Sequence, residues 1–223
     1  MKIKNFLHHT FISDFIDLKS VVVDLGANDG KFSEFIRNKF NCRIYAIEPL
    51  PDLFNSIKED PNIKKFNYCI NSTGEPCELY LESGYCATTR KKDDKESIKV
   101  QGKTLREFII EEKILQIDLL KVDIEGEEIG MFEKMDKKIL LKINQITVEF
   151  HDFLWPELRE RVEKIKKDFS KKGFYCIHFS LTNNGDVLFI RKNLITFLNY
   201  FYLKYFLRYL MGIKRKLNIK NKL

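Results

Sequence analysis

Short apolar runs alternate with segments of helical periodicity along most of the chain. Residues 21–23 and 43–47 are rich in β-branched and aromatic side chains, which favours strands, and apolar positions within 32–36 recur at helical spacing. The nearly continuous apolar run at 117–123 suits a strand that is buried on both faces. This alternation predicts an α/β fold, Rossmann-like, in which helices cover a doubly wound and mostly parallel sheet.

The remaining elements follow from the same patterns and from turn residues. We predict helices near 52–58, 105–112 and 156–172 and one that starts at Glu125, strands near 65–70, 78–81 and 143–150, and a hairpin of 175–179 with 187–191. That hairpin adds an antiparallel edge to the sheet, and the polar stretch 84–95 is predicted to be a surface loop.

The end of the chain differs in composition from the rest, so we divide the sequence into a domain at 1–193 and a tail at 194–223. Most residues between 194 and 213 are Leu, Ile, Phe or Tyr, and the few polar positions recur every four residues along one narrow stripe. On a helix this spacing leaves a broad apolar face. We therefore predict a C-terminal amphipathic helix.

The formal net charge of +7 belongs to this tail. The tail holds seven of the 39 basic residues and no acidic residue, so the other 193 residues carry 32 charges of each sign. A neutral body lacks the basic surface that binds nucleic acid, so nucleic acid is not expected as a partner. An apolar face followed by lysines and arginines predicts contact with an anionic membrane surface. The alternative is a helix that docks on its own domain or on a second subunit of a homodimer.

The cysteines indicate a reducing compartment. There are five of them, an odd number, and none forms a Cys-x-x-Cys pair, so neither a disulfide framework nor a zinc knuckle is predicted. The first ten residues are too polar for the apolar core of a secretory signal. With the tail, these features predict a cytoplasmic protein that is peripheral at the inner face of a membrane.

Acidic residues stand at the ends of four predicted strands. Asp24, Glu48, Asp123 and Glu149 each come directly before a turn. In a doubly wound sheet, ligands bind outside the carboxyl ends of the strands. A single acid there could simply cap a helix, but four of them predict a site.

The turn from Asp24 to Gly30 resembles a nucleotide-binding loop, because glycines let the backbone pass close to a ligand. The dinucleotide fingerprint would need glycines where this chain has Asn28 and Lys31, so a pyrophosphate is not expected. Glu48 lies where a carboxylate can accept both hydroxyls of a ribose. These features predict a cofactor that has an adenosine ribose and no pyrophosphate.

Four segments together carry a resemblance to a known family. They are 23–30 (VDLGANDG), 46–51 (AIEPLP), 119–128 (LLKVDIEGEE) and 148–151 (VEFH). In this combination and order the chain resembles the FkbM-type S-adenosylmethionine-dependent methyltransferases over about residues 20–152. The resemblance implies a fold of the class I methyltransferase type, S-adenosylmethionine as cofactor, and methylation of an oxygen atom.

The resemblance also implies positions for the cofactor. The glycine loop would lie under its methionine part, Glu48 would bind the ribose, and Asn71 with Ser72 would lie on the adenine side. The full predicted set is Asp24, Gly26, Ala27, Asn28, Gly30, Glu48, Pro49, Asn71 and Ser72.

Methylation of a hydroxyl needs a group that removes its proton, because a sugar hydroxyl is a poor nucleophile. The candidates at the proper edge of the sheet are His151, Asp123, Glu125 and Glu149. A divalent cation held by Asp123 and Glu125 is a less favoured alternative, and no metal site is predicted.

The function expected from the resemblance and the tail is O-methylation of a sugar hydroxyl on a surface glycan or on its lipid-linked precursor. The partner would then be a glycan or a small hydroxylated acceptor. Three alternatives stay open: a methyltransferase of a protein or small-metabolite acceptor, a glycosyltransferase-like protein, and a non-catalytic binding protein.

Overall fold

The computed structural model describes residues 1–81, 87–88, 96–180 and 183–209. Strands in chain order are β1 Ile3–Phe6, β2 His9–Ile12, β3 Val21–Leu25, β4 Arg43–Ile47, β5 Ile63–Phe66, β6 Cys69–Ile70, β7 Cys77–Leu81, β8 Ala87–Thr88, β9 Ser97–Val100, β10 Gly102–Lys103, β11 Leu119–Val122, β12 Gln145–Val148, β13 Phe174–His178 and β14 Val187–Arg191. Helices are α1 Lys31–Phe40, α2 Pro51–Ser56, α3 Leu105–Glu111, α4 Glu128–Lys134, α5 Lys137–Leu140, α6 Arg159–Lys171 and α7 Phe197–Tyr202.

The central sheet has seven strands in the order β13-β14-β12-β11-β3-β4-β5. Strands β12, β11, β3, β4 and β5 are parallel to their neighbours in this series, whereas β14 is antiparallel to both β12 and β13. The predicted α/β fold with a mostly parallel sheet and an antiparallel edge is therefore confirmed. The chain order reverses between β3 and β11, which places a ligand-binding crevice at their carboxyl ends.

The local sequence explains where the helices around this crevice begin and end. α1 starts after Gly30, whose φ is +82°, and ends at Asn41 in the left-handed conformation. α3 starts at a capping box, in which the Thr104 side chain accepts from the N–H of Glu107 and the Glu107 side chain accepts from the N–H of Thr104. Both devices satisfy backbone groups that helix ends leave open.

Apolar side chains cover both faces of the sheet. One cluster joins β3, β11 and β12 to α3, α4 and α6, and a second joins the other face of β3 and β4 to α1. All four residues of β11 are buried, in agreement with the prediction of a strand covered on both faces.

Two hairpins and several short elements lie outside the predicted alternation. β1 and β2 form an antiparallel hairpin, and β7 pairs with β8 and β9 in a small sheet. The long helix predicted at 156–172 opens with a 3-10 turn at Pro156–Leu158 and continues as α6. Most of the loop predicted at 84–95 lies outside the described residues.

The C-terminal helix starts at Thr196, whose side chain accepts from the N–H of Asn199. α7 continues as a π-helical turn at Leu203–Leu207. Leu203 is fully buried and Tyr200 stacks on Tyr175 with ring centroids 4.0 Å apart, so one face of the helix packs on its own domain. The predicted tail residues 210–223 lie outside the described residues.

No helix in the described part of the chain combines the length and the apolar character that a membrane span requires.

Candidate active site

A cavity of about 660 Å³, including its open mouth, lies at the carboxyl ends of β3, β4 and β11. This is the point where the chain order of the sheet reverses. The lining residues are Leu25, Gly26, Asn28, Ile47, Glu48, Pro49, Leu50, Leu53, Tyr68, Cys69, Ile70, Leu79, Asp123, Ile124, Glu125 and Glu127. The lining combines apolar side chains with four acidic ones, Glu48, Asp123, Glu125 and Glu127.

Gly26 forms the floor of the cavity. Its φ is +73°, and its N–H and that of Ala27 both donate to the carbonyl oxygen of Ile47, at 3.0 and 2.9 Å. A Cβ atom at position 26 would overlap the backbone carbonyl of Asp123. Glycine is therefore required twice at this position, by the conformation and by the close approach of two strand ends.

Glu48 is a buried carboxylate on the cavity wall. It accepts from the N–H of Asn28 at 2.8 Å and from the N–H of Leu50 at 2.9 Å. Burial raises its pKa, and the two backbone N–H groups offset this only in part. The carboxylate is thus held rigidly at the end of β4, where it can accept further hydrogen bonds from a ligand.

The other predicted cofactor residues divide into two groups. Gly26, Asn28, Glu48 and Pro49 line the cavity. Asp24, in β3, and Ala27 and Gly30, in the loop before α1, are not among the lining residues.

Asn71 and Ser72 are not brought to this cavity. The Asn71 side chain accepts from the N–H groups of Thr73 and Gly74 and donates to the carbonyl of Glu75, so it organises a tight turn. Both residues line a separate cavity beside α3 and α5. Leu50, Tyr68 and other apolar residues line the main cavity instead.

The four predicted catalytic residues do come together. Asp123 and Glu125 follow β11 and line the cavity, while Glu149 and His151 follow the neighbouring strand β12. Metal-ligating atoms of Asp123, Glu125 and His151 all lie within 4.8 Å of one another, and so do those of His9, Asp123 and Glu149. We call these five residues the acidic–histidine cluster.

His151 is held between carboxylates. Its Nδ1 lies 3.0 Å from Oε1 of Glu128, and its Nε2 lies 3.2 Å from Oε2 of Glu125 and 3.8 Å from Oδ1 of Asp123. Burial by itself would lower the pKa of His151, but the hydrogen bond to Glu128 and the surrounding negative charges raise it to about 10. These contacts favour the imidazolium form of His151, which makes it a poor base.

Glu149 has a different environment. Burial and the charge of Asp123 raise its pKa to about 7. By contrast, Lys121, His9 and His151 outweigh the effect of burial on Asp123 and keep its pKa well below the usual range. Two carboxylates of one cluster therefore differ widely in proton affinity.

Lys121 lies beneath the cluster and is almost fully buried. Its Nζ is 3.2 Å from Oδ1 of Asp24 and 3.7 Å from Oδ2 of Asp123, and it donates to the carbonyl of Gly26 at 2.5 Å. Burial acts to lower the pKa of Lys121, but Asp24 and Asp123 more than offset this effect, so the pKa of Lys121 lies above its usual value. This ammonium ties the glycine loop of β3 to the end of β11.

Sequence reasoning missed His9, Lys121 and Glu128. Lys121 and Glu128 lie inside the motif 119–128 but were not singled out. His9 is fully buried in β2, with Nε2 3.4 Å from Oδ2 of Asp123. No local signal marks His9, because the contact joins residues 114 positions apart.

Comparison with known proteins gives one family. Residues 24–176 match the sequence model of the methyltransferase FkbM domain, which is more than half of the chain. No curated protein matches the chain significantly.

Solved structures share the fold at low sequence identity. A protein of Clostridium thermocellum described as an rRNA methylase has a TM-score of 0.51 and 11% identity, over 80% of this chain and 88% of that one. The fibrillarin pre-rRNA processing protein of Methanococcus jannaschii has a TM-score of 0.48 and 14% identity, over 85% and 70%. A Streptococcus mutans protein described as a methyltransferase, in complex with SAH, has a TM-score of 0.48 and 11% identity, over 80% and 94%.

Proposed function

The chain belongs to the FkbM methyltransferase family and is an S-adenosylmethionine-dependent methyltransferase, and on that premise we propose that its acceptor is a hydroxyl group of a sugar. The sugar would be part of a surface glycan or of its lipid-linked precursor. The single observation that carries the proposal is the acidic–histidine cluster, of which Asp123 and Glu125 line the cavity, since an alcohol acceptor requires a group that takes its proton.

The cavity also fits the cofactor. Gly26 adds no side chain to the cavity, and the buried Glu48, which also lines it, is fixed by two backbone hydrogen bonds. A carboxylate in that position accepts the two hydroxyls of a ribose. Leu50, Leu53 and Tyr68 offer an apolar wall for a base.

When bound, S-adenosylmethionine supplies a methyl group already activated by the sulfonium charge. The protein must then align the acceptor oxygen and remove its proton. We assign the proton transfer to Glu149, because His151 is engaged through both ring nitrogens and Asp123 is paired with Lys121. His151 then positions Glu125, and Lys121 positions Asp123.

Replacement of Glu149 tests this assignment. We expect Glu149→Gln to retain cofactor affinity and to lower kcat by about 10²–10⁴-fold, the usual contribution of a general base. Glu127→Gln is the matched control, because Glu127 lines the cavity but lies outside the cluster. An unchanged kcat in Glu149→Gln would remove Glu149 from the proposal.

Mass spectrometry of extracted surface glycans tests the acceptor class. Cells that carry the gene should yield a glycan one methyl group heavier than cells without it, and expression of Glu149→Gln should not restore the methyl group. If the glycans are identical and the methyl group is found on a protein or a small metabolite, the sugar acceptor is wrong.

We further propose that the protein acts at an anionic membrane surface. The helix that starts at Phe197 turns large apolar side chains to solvent, and Phe197, Leu198, Phe201 and Phe206 are all more than half exposed. The sequence beyond it continues with Lys214, Arg215 and Lys216. Exposed aromatic side chains beside basic residues favour insertion at a lipid headgroup boundary.

Co-sedimentation with vesicles tests the membrane proposal. The full chain should sediment with vesicles that contain anionic lipid, and Phe201→Ser with Phe206→Ser should reduce the bound fraction several-fold without changing the oligomeric state. A dimer that dissociates in this variant, with no vesicle binding in either protein, would favour the homodimer instead.

A further inference from the structure

We propose that Asp123, Glu125 and His151 bind a divalent transition-metal ion such as Mn²⁺. Nε2 of His151, Oδ1 of Asp123 and Oε2 of Glu125 converge, with the imidazole nitrogen 3.8 and 3.2 Å from the two oxygens. Two carboxylates and one imidazole form a donor set that suits divalent ions of the first transition series. The ligand atoms are already within 4.8 Å of one another, so small side-chain movements would complete a coordination shell.

His151 is prepared to be a metal ligand by the residue behind it. Nδ1 of His151 lies 3.0 Å from Oε1 of Glu128, a fully buried carboxylate. The same carboxylate accepts from the N–H groups of Ile124 and Gly126, so it cannot turn away. A carboxylate that binds Nδ1 fixes the ring and leaves Nε2 to the metal, the usual arrangement behind histidine ligands.

Asp123 belongs to both possible ligand groups, one with Glu125 and His151 and one with His9 and Glu149. Its two oxygen atoms have different neighbours, and this difference favours the first group. Oδ2 lies 3.7 Å from the Lys121 ammonium and 3.4 Å from His9, whereas Oδ1 faces His151. A cation bound between His9 and Glu149 would share Oδ2 with a buried ammonium and be repelled by it.

A metal ion here deepens the proposed function and, for its catalytic role, rests on it. An ion beside the acceptor end of the cavity would bind the acceptor hydroxyl and lower its pKa, which eases removal of the proton by Glu149. It would also offset the negative charge of Asp123, Glu125 and Glu128, whose carboxylates lie 3.0–3.8 Å from the ring nitrogens of His151. The ion site itself requires neither cofactor nor acceptor.

Electron paramagnetic resonance with Mn²⁺ tests the site on the full chain, after dialysis against a chelator and without cofactor. We expect saturable binding of about one ion, weakened at least 10-fold in Glu125→Gln and in His151→Gln. Glu125 is partly exposed, so its isosteric variant should fold, and circular dichroism checks this. Glu127→Gln and His9→Gln are the controls, and both should bind as the parent protein does.

Two results would overturn the proposal. One is the absence of saturable binding by the folded parent protein. The other is loss of binding in His9→Gln with no change in Glu125→Gln, which would assign the ion to the other ligand group. A titration of the same samples with S-adenosylmethionine separates this failure from that of the proposed function, because a protein that binds the cofactor but no Mn²⁺ loses only the metal site.

Discussion

At position 26, even the single Cβ atom of alanine is too large for the loop. Because a Cβ at this position would overlap the carbonyl of Asp123 and would also require a positive φ, we expect Gly26→Ala to lower the free energy of unfolding by about 1–3 kcal/mol and to abolish cofactor binding. Gly173→Ala is the control, since Gly173 also has a positive φ, +95°, but nothing lies within 4 Å of its would-be Cβ. Urea denaturation and calorimetry measure the two effects. Equal losses of cofactor affinity in both variants would contradict a role for the close approach.

A second prediction at the residue scale concerns the oxidation of two thiols beside the cavity. Sγ of Cys69 and Sγ of Cys77 are 2.6 Å apart, and Cys69 lines the cavity. The hydrogen bond from Cys69 lowers the pKa of Cys77, which favours its thiolate. Treatment with oxidised glutathione should therefore join these two cysteines, releasing two molecules of reduced glutathione per disulfide.

Peptide mass spectrometry checks the crosslink. Cys42 is the internal control, because burial raises the pKa of its thiol to about 11 and it has no nearby thiol among the described residues. A mixed glutathione adduct on Cys42, with Cys69 and Cys77 left reduced, would contradict the prediction.

At this scale the sequence predicts residues whose roles are local and misses those whose roles depend on distant contacts. Glu48 and Asp123 follow from strand ends, and Gly26 follows from a turn that only glycine permits. His9 could not be found, because its partner lies in another part of the chain. An Asn after a strand can face a ligand or close its own turn, and the sequence does not distinguish the two. Asn71 lies outside the main cavity, and its side-chain hydrogen bonds close the turn.

At the scale of elements, the β1–β2 hairpin is attached to the central sheet by polar contacts. Asp186 is fully buried and accepts from the backbone N–H of Thr10 at 3.1 Å and from its hydroxyl at 2.6 Å. Gln145 likewise accepts from the N–H of Ile12 and donates to its carbonyl. The hairpin that carries His9 therefore depends on these two side chains.

We expect Asp186→Ala to lower the free energy of unfolding by about 2–4 kcal/mol, because it removes the buried acceptor of two hydrogen bonds from Thr10. The midpoint of urea denaturation measures this. Glu59→Gln, at an exposed carboxylate, should change it by about 0.5 kcal/mol or less. If Asp186→Ala were as stable as the parent, the hydrogen bonds to Asp186 would not contribute to holding the hairpin.

The alternation of strands and helices was predictable because each central element buries one continuous apolar pattern. β4 has the predicted bounds, and α3 differs by one residue at its end. The hairpin β1–β2 and the small sheet of β7, β8 and β9 were missed or only partly found. Their strands are short and carry polar residues, so they show no clear local periodicity. They form because they pair with other segments of the chain.

At the scale of the whole molecule, one histidine outside the active site should make stability depend on pH. Burial, with the charges of Lys166 and Arg208, lowers the pKa of His178 to about 4. In the unfolded chain, His178 has an ordinary pKa near 6.5. As the pH falls from about 6.5 to 4, the unfolded chain therefore binds a proton at His178, whereas the folded chain does not. Stability from this group is present above pH 6.5 and is lost through that range.

We expect the loss of unfolding free energy between pH 7 and pH 4.5 to be about 2–3 kcal/mol smaller in His178→Gln than in the parent protein. Urea titrations at the two values of pH measure the difference. His8→Gln, at an exposed position, is the control and should lose as much as the parent does. A His178→Gln protein with the parent's pH dependence would show that His178 titrates normally.

In the whole molecule, a neutral stretch of 193 residues is followed by a basic and apolar tail. The domain and its cofactor loop follow from sequence periodicity and motif order, and the family match over 24–176 agrees with them. The acceptor does not follow from the sequence, because cofactor residues are shared by methyltransferases of many acceptors, whereas acceptor contacts depend on side chains from separate elements.

Calorimetric titration with S-adenosylhomocysteine, the unreactive product, tests the central claim that the cavity at β3, β4 and β11 is the cofactor site. We predict saturable binding by the parent protein, a loss of affinity of about 10-fold or more in Glu48→Gln, and no change in Glu59→Gln. No binding by the folded parent protein, or equal affinity in Glu48→Gln, would contradict the account.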